Sequence, residues 1–234
     1  MAGRMVVGSA ALAGLVRPAS EPDPAGDAHR LLPVLPVLTR LLPNRGLRRG
    51  STVAVATAHP VRGGGTSLVL GLLAEASRSG SWCAVVGVPT LGAVAAADLG
   101  IALDRLALVP HPGPEWATVV AALIDGVDVV VIAVPGTVSA SVTSRLAARA
   151  RQRGSVLVPY GDWAGADVTL RVIRGVWHGL GQGRGRLRRR EMTIAARGRG
   201  AASRPKEIKV WLPGDGAAVE RDPGRAALTL VRQG

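Results

Sequence analysis

Residues 127–134 read VDVVVIAV, a run in which branched apolar side chains stand at nearly every position. A strand with one wet face alternates apolar and polar residues. A run without that alternation fits where both faces of a sheet are covered. Similar runs stand at residues 51–57 (STVAVAT), 82–88 (WCAVVGV), 106–109 (LALV) and 155–158 (SVLV). Between them the spacing turns helical. Leu68, Leu72 and Leu73 share one face of a helix predicted over residues 66–79, which Gly80 closes. Further helices are predicted over 94–99, 116–124 and 139–153, the last ended by Gly154. Strands alternating with helices specify βαβ units. The expected fold is therefore α/β, with a mostly parallel central sheet flanked by helices and joined by right-handed crossovers.

The texture changes after Tyr160. Residues 167–173, 191–196 and 207–212 read as strands joined by Gly/Arg loops, which predicts an antiparallel C-terminal extension on the sheet edge. Upstream, residues 31–42 are apolar but carry Pro33 and Pro36, so short helical turns are expected in place of one long helix. Residues 44–50 read as a basic turn. Residues 17–30 are a linker rich in Pro and acids. The chain thus divides into a leader and linker (1–30), a core domain (31–213) and a tail (214–234), in which residues 226–232 form a short apolar segment. Arg4 followed by the apolar run 5–16 has the size of a signal-peptide core, and a flexible leader is the reading preferred. At about 12 residues this run is too short to span a bilayer. Gly, Pro or charge interrupts every later apolar stretch, so no membrane association and a cytoplasmic location are expected.

Composition narrows the chemistry. Hydrophobic residues make up 47% and charged residues 19%, which supports a buried core and excludes wholesale disorder. Phe is absent, so Val, Leu, Ile and Ala must build that core. The single cysteine, Cys83, excludes an internal disulfide and a thiolate zinc site, and its apolar surroundings mark it as a core residue. His29, His59, His111 and His178 show no metal-ligand spacing, and no Ser/His/Asp group or carboxylate pair stands out.

A strand, a Gly-rich loop and a helix make a phosphate-binding architecture, in which backbone N–H groups and the helix N-terminus cradle an anion. The pattern G-x-x-x-x-G-K-[ST] falls on residues 59–66. Gly64 and Thr66 keep the second Gly and the hydroxyl. His59 replaces the first Gly, and Gly65 replaces the Lys that would reach the terminal phosphates. Candidate nucleotide contacts are Gly63, Gly64, Gly65, Thr66 and Ser67. Arg62 is a poor substitute for the Lys, because its planar fork has different geometry. Three readings stay open: a turn without a ligand (the preferred one), weak ATP and Mg²⁺ binding, and competent hydrolysis.

A second feature is charge. The chain carries a net +13, which attracts polyanions. Between Arg171 and Lys209 there are twelve Lys/Arg and two Glu. The densest part holds Arg184, Arg186, Arg188, Arg189 and Arg190, interleaved with Gly, and is expected to be a flexible basic loop. Such a loop fits a phosphate backbone, with binding that weakens steeply in salt. An acidic protein partner and a merely solvated face are the other readings. Trp163, Trp177 and Trp211 suit either base stacking or packing.

The order of these elements resembles the RecA family over residues 31–213. The resemblance places the loop and its helix (GGTSLVLGLLAEASRSGSWCAVV) on the RecA phosphate loop, and it implies further losses. Where RecA has its water-activating acid, residues 87–89 read GVP. Where the metal-side strand should end in Asp, Ala133 stands, with Asp128 at that strand's start read as a turn residue. Where RecA has its sensing Gln, Asp162 stands. With the phosphate Lys, metal Asp and catalytic Glu all replaced, the resemblance implies a pseudo-ATPase, with no cofactor. In RecA the region matching residues 171–209 carries DNA-contacting loops.

More narrowly, residues 32–55, 80–92, 99–116 and 204–213 resemble the actinobacterial ImuA-prime group of RecA homologues. That resemblance implies an accessory role in damage-induced (SOS) mutagenesis and error-prone translesion synthesis. The implied partners are an ImuB-like Y-family-related protein directly, an error-prone C-family polymerase indirectly, and DNA non-specifically, which would place the chain at the nucleoid. A SulA-like inhibitor of cell division and a weak nucleotide switch are the alternatives.

Overall fold

The structure is a computed structural model, and it describes residues 30–56, 63–133, 136–181 and 184–213. Within these, only the backbone is described for residues 179–181, 184–189, 201 and 213. The expected leader and tail, the first half of the Gly-rich loop with His59 and Arg62, and the tip of the basic arm lie outside the described residues.

The apolar runs become the centre of an eight-stranded sheet. In chain order its strands are β3 (Val53–Ala56), β4 (Cys83–Val86), β5 (Leu106–Val109), β6 (Val129–Ala133), β7 (Val156–Tyr160), β8 (Val168–Gly181), β9 (Arg184–Gly198) and β10 (Lys206–Pro213). Across the sheet the order is β10-β9-β8-β3-β7-β6-β4-β5. Pairing is parallel from β5 through to β8 and antiparallel among β8, β9 and β10. The fold is thus mixed α/β, with the parallel centre and antiparallel C-terminal edge read from the sequence.

Helices α1 (Gly65–Arg78), α2 (Ala93–Asp98), α3 (Trp116–Gly126) and α4 (Ala140–Arg153) fill the connections. Alternation along each central strand divides the core. Val129, Val131, Val156 and Val158 face α1, while Val130, Ile132 and Leu157 face Val120 and Ile124 of α3 and Leu146 of α4. All of these strand residues are essentially inaccessible, which explains the lack of polar alternation.

The N-terminal segment seals the α1 side. Pro33 and Pro36 exclude a long helix, and a six-residue 3-10 turn forms over Pro36–Leu41. It packs on α1 at Gly71, where a Cβ would touch Leu38, Leu35 and Leu212 at 3.4, 3.5 and 3.6 Å. Leu38, at 0% exposure, fills that junction. The expected basic turn at 44–50 contains a short strand instead. β2 (Leu47–Arg48) pairs antiparallel with β1 (Leu31–Leu32), a pairing too short to leave a periodic signal.

The largest departure from expectation is the basic arm. Residues 184–190 are not a flexible loop. They belong to β9, which runs for 15 residues against the 14 of β8. The ladder continues to the Gly181–Arg184 pair. Cross-strand hydrogen bonding supplies the order that the Gly-rich composition does not, because strand formation depends more on pairing than on intrinsic preference.

Candidate functional site: a phosphate-type loop closed by its own side chains

The carboxyl end of β3 leads to the Gly-rich segment, and α1 starts at Gly65. Gly63 and Gly64 have φ of +48° and +96°, a left-handed backbone that glycine adopts without penalty. Gly64 caps α1, and its carbonyl accepts the Leu68 N–H at 2.9 Å. Gly63, Gly64, Gly65, Thr66 and Ser67 therefore do come together at a helix N-terminus, as a phosphate loop requires.

What lies above them is not open space. A Cβ placed on Gly65, the position where the loop pattern has Lys, would stand 2.6 Å from Cε2 and 2.7 Å from the hydroxyl of Tyr160. The phenol at the end of β7 thus covers the first turn of α1. Thr66 Oγ1 and Tyr160 Oη lie 3.3 Å apart in a hydrogen bond, so the hydroxyl that would hold Mg²⁺ has a protein partner. Asp162, expected at the sensing position, is exposed.

The second cover is Arg190. A Cβ on Gly63 would meet its Nη2 at 2.7 Å, and one on Gly64 would meet its Cζ at 3.2 Å and Met192 Sδ at 2.9 Å. Gly175, on the neighbouring β8, leaves the room through which the guanidinium passes, since a Cβ there would lie 3.0 Å from Nε. Arg190 pairs across the ladder with Trp177 and stacks on its indole, 5.1 Å from the centroid. At 8% exposure it is buried. Burial pulls its guanidinium below the ordinary value, and neighbouring Tyr160 works against that shift.

Contrary to the expectation of a flexible basic loop that meets DNA or an acidic partner, Arg190 is buried against the glycines. It points inward because its ladder position sets it on the face with Trp177, over glycines that leave space. Of the other arm residues, Arg184 pairs with Gly181, and Arg189 pairs with His178 and Pro213. Arg186 and Arg188 lie on the same strand, and the side chains of all four are outside the described residues.

The base of the arm is braced on the other side. Glu191 Oε1 accepts Lys209 Nζ at 2.5 Å, and Glu191 Oε2 lies 3.9 Å from His178 Nε2. The His178 ring tilts against Trp211 at 4.8 Å. Trp163 packs on the α3/α4 core, and Trp177 is 39% exposed beneath Arg190. Of the three tryptophans considered for stacking, then, Trp163 and Trp211 are packing residues.

Asp128, read as a turn residue, is a clasp. Its Oδ1 accepts Arg49 Nη1 at 2.7 Å, and its Oδ2 accepts the Trp82 N–H at 2.8 Å, tying the starts of β3, β4 and β6. Cys83 is buried as expected. Its thiol is pushed up to about 12 by burial and, secondarily, by the Asp128 charge. Among the described residues there is no group of three His, Cys, Asp or Glu that could hold a metal, and no helix is long and apolar enough to cross a membrane. Sequence reasoning missed Tyr160 and gave Arg190 another role, although these two residues cover the described part of the loop.

The geometry defines a class: an α/β domain in which the glycines at the start of α1, Gly63 to Gly65, are packed under a phenol and a guanidinium of the same chain. Residues 40–165 match the family described as the MT3502 N-terminal domain, and the chain belongs to that family. The uncharacterized protein Rv3395c of Mycobacterium tuberculosis is 41% identical over 112 residues. That match covers 47% of this chain and 55% of the relative, so the chain spans about half the length of that curated protein. Among solved structures, the flagellar accessory protein FlaH from Methanocaldococcus jannaschii aligns with 79% of this chain and 95% of its own. The TM-score is 0.49 at 12% identity, a likeness too distant to bear on function.

Proposed function

We propose that the chain is a RecA-like accessory protein without ATPase chemistry that works by binding partners in an error-prone translesion synthesis complex. The observation that carries the non-catalytic part is the closed loop. Tyr160 lies over the Lys position and Arg190 lies against Gly63 and Gly64, so among the described residues side chains of the chain itself take the space that a γ-phosphate and its metal would need. This packing also disfavours the weak nucleotide switch. The translesion role is supported by the resemblance of residues 32–55, 80–92, 99–116 and 204–213 to the ImuA-prime group. An ImuB-like protein is the direct partner in this reading, with an error-prone polymerase reached through it. In this reading DNA is held non-specifically by the other arginines of β9, Arg184, Arg186, Arg188 and Arg189, giving a cytoplasmic, nucleoid-associated protein.

The test is a pull-down against the ImuB homologue of the same organism, at two salt concentrations and without ATP. It uses the full chain and one ending at Pro213. Retention without nucleotide supports an ATP-independent adaptor, and loss on truncation places the contact in the tail. Failure to bind in every condition sinks the adaptor reading and turns attention to inhibition of cell division.

A further inference from the structure

A second concave site lies at the opposite end of the sheet. Val53 and Val168 are paired at the amino ends of β3 and β8, and they help line a cavity of about 520 Å³. That is within the roughly 300–1,000 Å³ of small-molecule sites. The Gly63–Gly65 loop follows the carboxyl end of β3, so the two sites do not share residues.

Four guanidinium-bearing residues line this cavity from three distant parts of the chain: Arg48 and Arg49 beside β2, Arg151 in the last turn of α4, and Arg199 just after β9. The walls are fixed. Gly50, at φ +78°, lets the turn into β3 lie against α4, since a Cβ there would stand 3.0 Å from Arg151 Cα. Arg49 is oriented by Asp128 at 2.7 Å. The carboxylate in the lining, Asp167, is turned to the backbone, where its Oδ2 accepts the Thr52 N–H at 2.8 Å. Among the described residues, no ion pair takes up Arg48, Arg151 or Arg199. Arginine stays charged at any physiological pH, so the cavity gathers more positive charge than Asp167 offsets and favours an incoming anion. The partly exposed Pro43 ring supplies an apolar surface beside this charge, over the buried Leu42, Val53 and Val168.

We infer that this cavity binds a small phosphorylated molecule of nucleotide size. Its phosphates would sit on Arg48, Arg151 and Arg199, and its uncharged ring would lie against Pro43. Guanidinium forks suit phosphate oxygens in paired hydrogen bonds. A cavity of about 520 Å³ leaves room beside the arginines for more than a bare anion, and the Pro43 ring gives that remainder a flat apolar surface. This site goes beyond the adaptor reading and does not depend on it.

The test is calorimetric titration of the full chain, without Mg²⁺, with ADP, with inorganic pyrophosphate and with oligodeoxythymidine at equal phosphate concentration. The expected result is equimolar ADP binding, tighter than pyrophosphate. Arg151→Gln and Arg199→Gln should each weaken it about tenfold, the scale of one charged hydrogen bond. Thr66→Ala should leave it unchanged. Both arginines are exposed, and circular dichroism confirms that each variant folds. No heat with ADP or pyrophosphate at millimolar concentration overturns the inference. So does ADP binding that survives both arginine substitutions or is lost in Thr66→Ala. Loss of oligonucleotide binding in these variants, with ADP inert, would assign the arginines to a nucleic-acid backbone and overturn it equally.

Discussion

The guanidinium of Arg190 lies over the indole of Trp177, its central carbon 5.1 Å from the ring centroid, while its far nitrogens reach the Gly63–Gly64 backbone. One side chain thus joins the antiparallel edge of the sheet to the start of α1. Arg190→Ala should remove the stacking and leave a void beside the loop. The expected loss is about 1–3 kcal/mol in urea unfolding, with a change in tryptophan fluorescence as Trp177 becomes wetter. Arg190→Lys should recover little, because an ammonium lacks the planar face. Full stability in Arg190→Lys would show that charge alone matters there.

Restoring the missing Lys should not restore an ATPase. In Gly65→Lys the new Cβ meets the Tyr160 ring at 2.6 Å, so overpacking should cost about 1–3 kcal/mol and lower the melting temperature. Pairing it with Tyr160→Gly should relieve the clash. A fluorescent ATP analogue titrated against the single variant should give no signal. Saturable binding there would mean the phenol swings aside readily.

Tyr160→Phe isolates the hydroxyl. It keeps the ring over Gly65 and deletes the 3.3 Å hydrogen bond to Thr66, so a loss of about 0.5–1.5 kcal/mol is expected. A chemical denaturation curve with unchanged slope checks it.

Asp128 holds Arg49 and the Trp82 N–H together, and Asp128→Ala leaves both without that acceptor. The expected cost is about 1–3 kcal/mol. The ADP titration should also weaken in this variant, because Arg49 loses its orientation in the cavity wall. Unchanged stability would show that the clasp is replaceable by water.

Cys83 sets a pH dependence. Its thiol pKa is raised from 9.0 to about 12, so the neutral form is favoured in the folded state. The resulting stability is fully present below pH 9.0 and is lost as pH rises toward about 12. A maleimide reagent at neutral pH should label the native protein very slowly and the urea-unfolded protein at once. Fast labelling of folded protein would contradict this burial.

The parallel core was legible because each of its signals is local. Continuous apolar runs marked β3, β4, β6 and β7, leucine spacing marked α1, and Gly154 at φ +73° ends α4 as its sequence position suggests. Elements that depend on distant partners were harder to see. Residues 184–190 have the composition of a loop and become a strand because β8 is beside them. The closing of the loop was not legible either. Tyr160 and Arg190 reach Gly65 and Gly63 from far along the chain, and nothing in their neighbours' periodicity indicates which way they point. The loss of the Lys was plain, whereas the groups that took over its space were visible only once the strands were ordered across the sheet.

The Gly-rich turn and the residue that stoppers it are made at very different times. Gly63, Gly64 and Gly65 leave the ribosome early, with α1, while Arg190 follows only after the whole parallel sheet has been translated. A nascent chain halted before β9 would have only the Tyr160 phenol over that helix start, and arrival of Arg190 on the hairpin would complete the cover. The last strands thus finish a closure that the parallel sheet begins.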